Sequence, residues 1–110
     1  MKKYESIIIL DPSIDEEVKK EKLKQYKKII KELTNTKVEM QDLGKKTLAY
    51  DVKGHKQGYF AVFNLGCNPE QLSELENKYR ADKDVIKFMD VEQDENYFED
   101  EDSEEDEQEM

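Results

Sequence analysis

Few side chains in this sequence could carry covalent or acid–base chemistry. The only histidine, His55, falls in a Gly54 to Gly58 segment that reads as a turn. No spacing near it supplies the nucleophile or orienting acid that a general base requires, so a polar loop residue is expected. The only cysteine, Cys67, precedes a helix start and is expected to be a small packed residue. A lone cysteine can form neither an internal disulfide nor a CxxC metal pair, which sets aside disulfide-stapled scaffolds and zinc modules. Gly44, Gly54, Gly58 and Gly66 have neither phosphate-loop nor dinucleotide-fold spacing. The acids of residues 94–110 lack the spaced oxygen ligands and turn glycine of a calcium loop. The expectation is no catalytic residue, no metal and no cofactor.

Binding chemistry is better represented. Residues 44–58 hold Lys45, Lys46, Lys53 and Lys56 against Asp51 alone, interleaved with Tyr50 and His55. Ammonium groups neutralise phosphates and aromatic rings stack on unpaired bases, so this mixture suits structured RNA. Lys2, Lys3 and Tyr4 extend the patch if the chain start lies beside it. The competing explanation is that the lysines discourage pairing at an exposed strand edge. KQGYFAVF, residues 56–63, matches the third-strand motif of RNA-recognition domains at Gly58 and Tyr59 but not at Phe60 or Asn64. The seven lysines from Lys19 to Lys31, mixed with Glu21 and flanked by acids, read as a solvated helix face.

Composition divides the chain. Of 110 residues, 18 are Lys or Arg and 28 are Asp or Glu. Residues 1–93 carry all 18 bases and 17 acids, a net charge near +1, whereas residues 94–110 carry 11 acids and no base. The expected organisation is one domain over 1–93 and a disordered acidic tail over 94–110. The longest apolar run, Ile7 to Leu10, is four residues, far below the roughly 20 of a membrane helix. Lys2 and Lys3 are followed by Glu5 rather than a signal-peptide core, so a cytoplasmic, unprocessed chain is expected.

Within 1–93 the pattern predicts six elements. Lys3 to Leu10 is β-branched and ends at Asp11-Pro12, a strand closing into a turn. Ser13 and Glu16 have capping-box spacing, and Val18, Tyr26, Ile29, Ile30 and Leu33 follow at helical spacing to about Asn35. Lys37 to Lys53 reads as one strand with a bend or bulge at Gly44. Tyr59 to Leu65 is apolar on both faces. Asn68-Pro69 starts a helix lined by Leu72, Leu75 and Tyr79, and Val85 to Val91 is a last strand. The order β-α-β-β-α-β is that of the ferredoxin-like α+β sandwich, with two helices on one face of a four-stranded antiparallel sheet. Its first and third strands are central, as their two apolar faces require. The uncovered face would carry Ile7, Ile9, Phe60 and Val62, a surface suited to a partner.

Four segments give a family resemblance: MKKYESIIILDP at the start, GKKTLAYDVK from Gly44, QGYF from Gln57, and LENKYRADKDVIKF from Leu75. Over about residues 1–93 the chain resembles bacterial small-subunit ribosomal protein six. The resemblance implies the same sandwich and no enzymatic activity. It implies binding to the central domain of small-subunit ribosomal RNA together with ribosomal protein eighteen. It favours Lys2, Lys3, Tyr4, Lys45, Lys46 and Lys53 as RNA contacts. Where this sequence has Lys87-Phe88 the family often has an Arg-His pair. Two other uses of the fold are a small-molecule regulatory module and an acylphosphatase-like enzyme. The latter wants an arginine in an anion-binding loop, and the only arginine is Arg80, late in the second helix.

Overall fold

The computed structural model describes residues 2–93; Met1 and the expected tail, 94–110, lie outside the described residues. The elements are β1 (Lys2–Leu10), α1 (Glu16–Thr34), β2 (Glu39–Val52), β3 (His55–Cys67), α2 (Pro69–Ala81) and β4 (Val85–Gln93). The strands form one antiparallel sheet in the order β2-β3-β1-β4. The two strands that are apolar on both faces, β1 and β3, are the central pair.

Period-two alternation sorts the strand side chains. Ile8 and Leu10 of β1 and Ala61, Phe63 and Leu65 of β3 join Leu23, Tyr26 and Ile30 of α1 and Leu75 and Tyr79 of α2 in one buried cluster. Both helices therefore cover the same face. A fully buried Leu, Ile or Phe contributes about 1.5–3 kcal/mol, so this cluster carries most of the fold's stability. Across it, Tyr26 donates to Asp82 Oδ2 at 2.6 Å and Lys22 Nζ lies 2.7 Å from the same atom, tying α1 to the α2–β4 turn. Burial alone would raise the Asp82 pKa, but these donors and the Asp84 backbone N–H outweigh it and hold the carboxyl below its ordinary value.

The helix ends show where local signals compete. Ser13 does not cap α1. Its N–H and hydroxyl both go to Asp11 Oδ1, at 2.8 and 2.6 Å, so Ser13 is used up in the preceding turn, and Glu16 binds Lys19 instead. Asp15 takes the N-cap position without a side-chain bond. The far end stops where expected, at Asn35 in the left-handed region (φ 54°), whose N–H bonds Lys31 O. Val18, expected on the buried face, is 46% exposed, while its neighbour Lys19 is 2% exposed. Asn68 and Gln71 cap α2 reciprocally, with Pro69 in its first turn.

Candidate nucleic-acid and partner interface

The basic segment is a long β2–β3 hairpin. Lys53 (φ 51°) and Gly54 (φ 82°) form its two-residue turn, with Val52 opposite His55. Two positive φ values in succession match the twist of the flanking strands, and glycine takes the second without strain. The turn is thus shorter than the Gly54 to Gly58 segment expected. His55 begins β3 and Gly58 is a strand residue opposite Lys46. A Cβ on Gly58 would overlap Ile9 Cγ2 and lie 3.3 Å from Leu10 O, so only glycine allows this approach.

A bulge decides which face each lysine takes. Asp42 pairs with Ala61 and Gly44 with Phe60, leaving Leu43 as the extra residue. Beyond it Lys45 stands opposite Tyr59, on the helix-covered face, with its ammonium 5.2 Å from the Tyr59 ring centroid. Lys46 stands opposite Gly58, on the open face. Alternation along β3 places Lys56 on that open face too, and Lys87 joins it opposite Ile9. Lys87 Nζ donates to Tyr50 Oη at 2.6 Å and lies 4.8 Å from the ring centroid. The short hydroxyl contact places the ammonium at the ring's polar edge, so the hydrogen bond is the main interaction, and it lowers the Tyr50 pKa. Tyr50 keeps 63% of its surface exposed.

The remaining expected contacts separate from this patch. Lys2 pairs with Cys67 and Lys3 with Gly66, at the opposite end of β1 from Leu10 and Tyr59. The chain start therefore does not extend the hairpin patch. Lys2 Nζ is 3.3 Å from Glu92 Oε2. Tyr4 is 7% exposed within the core cluster, so its ring is not offered for stacking. Burial first, and then Glu92, raise its pKa. His55 is half-buried, with Nε2 3.8 Å from Asp11 Oδ2. Two hydrogen bonds from Ser13 hold that carboxyl below its ordinary range. Lys53 and Lys56 are exposed at and beside the turn.

The four expected partner residues form two cross-strand pairs, Ile7 with Val62 and Ile9 with Phe60. They are not equally available. Ile9 and Val62 are buried at 3% and 7%, while Ile7 and Phe60 are half-exposed. Ile86 explains the covering of Ile9. Leu10 pairs with Val85 and Ile9 with Lys87, so Ile86 bulges from β4 and its Cδ1 approaches the same Gly58 site that Ile9 fills. The apolar surface missed in the sequence is on β4: Met89, opposite Ile7, and Val91, opposite Glu5, are 42% and 46% exposed. Their alternation with Phe88 and Asp90 was the available signal. Cys67 is fully buried, and burial pushes its thiol up to about 11. Among the described residues no group of His, Cys, Asp or Glu is placed to hold a metal, and no helix is long and apolar enough to cross a membrane.

The open face is thus an apolar centre, Ile7, Phe60, Met89 and Val91, bordered at its hairpin end by Lys46, Lys56, Lys87 and Tyr50. Residues 3–92 match the family model for ribosomal protein S6. Small ribosomal subunit protein bS6 of Helicobacter pylori (strain Shi470) is 38% identical over 89 residues, which are 81% of this chain and 63% of that protein. The chain therefore spans a little under two thirds of the Helicobacter relatives. The bS6 protein of Clostridium novyi (strain NT) is 34% identical over 89 residues, covering 81% of this chain and 94% of that one. The crystal structure of 30S ribosomal protein S6 from Thermotoga maritima superposes with a TM-score of 0.81 at 28% identity, covering 89% of this chain and 92% of that chain.

Proposed function

Because the chain belongs to the ribosomal protein S6 family, we propose that it is a non-catalytic structural component of the small ribosomal subunit in the cytoplasm. Residues 1–93 act as its binding unit. It binds the central domain of small-subunit ribosomal RNA together with ribosomal protein eighteen. The observation that carries this reading is the continuity of apolar and basic surface on one sheet face. Ile7, Phe60, Met89 and Val91 offer an uncovered apolar centre, and Lys46, Lys56 and Lys87 meet it at the hairpin end. A partner protein on the former and RNA phosphates on the latter bind side by side.

Charge makes the pairing part of the mechanism. With 18 bases against 17 acids, residues 1–93 attract a polyanion weakly. A basic companion on the adjoining apolar face supplies the missing positive potential and orders the RNA beside the hairpin. The RNA affinity of the full chain is therefore expected to rise about tenfold or more when ribosomal protein eighteen is added at fixed salt. Equal affinity with and without the companion, in a binding titration, overturns the paired mechanism.

A further inference from the structure

Helix α1 carries a row of charge that the sheet does not use. Lys20, Lys24, Lys27 and Lys31 recur at i, i+4, i+7 and i+11, with Lys28 beside them, so five ammonium groups share one stripe. All five are exposed, and none takes part in the ion pairs formed within the described residues. Lys19 and Lys22 on the same helix differ. Lys19 binds Asp42 and Glu16 at 2.8 and 2.9 Å, and Lys22 binds Asp82 and Asp84 at 2.7 and 3.3 Å. Between Lys20 and Lys31 the only acid is Glu21. Glu17, Glu21 and Glu32 stand three or four residues from Lys20, Lys24 and Lys28 but form no ion pair with them among the described residues. The stripe therefore keeps an excess of like charge that favours a further counter-charge from outside α1.

The chain itself supplies one. Gln93 pairs with Lys3, Lys3 pairs with Gly66, and Gly66 O accepts the Thr36 hydroxyl at 3.2 Å. Gly66 is therefore two strand spacings, about 10 Å, from Gln93, and the chain leaving α1 passes beside it. Residues 94–110 follow, with 11 acids and no base. That segment reaches at most about 58 Å, and the lysine stripe is only about 17 Å long. The Lys53 turn, at the far end of β3 from Gly66 and roughly 40 Å away, is within the extended reach but well beyond the relaxed span of about 20–25 Å for 17 residues. At the exit point Lys2 is already paired with Glu92.

We propose that residues 94–110 dock along the lysine stripe of α1 as an intramolecular polyanion. The connection through Gln93 gives the acids an effective concentration in the millimolar range, which compensates for weak individual contacts. With the stripe occupied, the unpaired lysines left exposed at the hairpin, Lys46 and Lys56 among them, become the surface open to other polyanions. This inference does not depend on the ribosomal assignment.

The test uses the full chain with a nitroxide on Ser103→Cys, since buried Cys67 does not compete for the label. Amide signals from Lys20 to Lys31 should lose at least about twofold more intensity than those of residues 45–56 at about 20 mM salt, and recover at about 0.5 M. The combined Lys24→Gln, Lys27→Gln, Lys28→Gln and Lys31→Gln chain should abolish the effect. If that chain fails to fold, amide replacement of Glu104, Glu105, Asp106 and Glu107 must abolish it instead. Broadening centred on the hairpin, uniform or absent broadening, or broadening that persists in salt or in the neutralised chain overturns the proposal. So does an untouched α1 whose amides shift on adding single-stranded RNA, which would assign the stripe to nucleic acid.

Discussion

The two faces of the sheet are built from the same strands and meet different ends. On the covered face, Ile8, Ala61 and Phe63 are 0–1% exposed beneath the helices. One position along each strand, Ile7 and Phe60 are half-exposed, and Met89 is 42% exposed. The covered side uses its apolar residues for stability, and the open side keeps part of them for association. Even the open side is partly closed from within, because Ile86 and Gly58 bury Ile9 without a partner. Apolar residues on two faces of a strand therefore identify a central strand, and burial in the folded chain identifies which of them remain available.

The sharpest way to break the comparison is to truncate one phenylalanine on each side. Phe63→Ala should cost about 3–5 kcal/mol in urea unfolding, and Phe60→Ala below about 1.5, because only Phe63 leaves a closed cavity. Similar losses would show that the open face is core rather than interface. A smaller effect tests charge under the helices. Both Asp90 side-chain oxygens are buried without a hydrogen-bond partner. Burial first, and then the neighbouring Glu76, push its pKa up to about 7. A carboxyl raised in the folded state costs stability as pH climbs from its ordinary range, and the cost is complete above the folded value. Full linkage would be worth about 4 kcal/mol, and the partial solvent access of this group reduces it to about 1–2. Asp90→Asn should therefore stabilise by that amount at pH 8 and by almost nothing at pH 4, read from unfolding midpoints. The smallest effect compares adjacent lysines. Lys46→Ala should lower the slope of log RNA affinity against log salt by about 1, and Lys45→Ala should leave it nearly unchanged. Equal changes would place both ammonium groups on the RNA and remove the distinction between the faces.

The architecture was legible because its signals were local. Asn68-Pro69 joins an N-cap residue to a proline suited to the first helical turn, and the Asp11-Pro12 stop follows from proline geometry. What escaped was decided by contacts distant in sequence. Lys19 is buried because Asp42, brought in by β2, accepts its ammonium at 2.8 Å. Burial would lower the Lys19 pKa, but Asp42 and Glu16 raise it. Tyr4 enters the core, and Lys2 and Lys3 lie away from the hairpin, because of how β1 pairs with β3. Lys45, Lys46, Tyr50, Lys53, His55 and Lys56 do lie together along the hairpin, as their order suggested. Its lysines divide between the two faces, which no count of charges could reveal.

That division rests on one residue. Were residues 42–46 matched one to one with β3, Lys45 would stand opposite Gly58 and Lys46 opposite Gln57, and the two ammonium groups would exchange sides. Leu43 thus acts as a phase marker for the charges that follow it. A relative with the same lysines but no extra residue would display an inverted electrostatic map, so alignments of such proteins must count bulges before they compare bases.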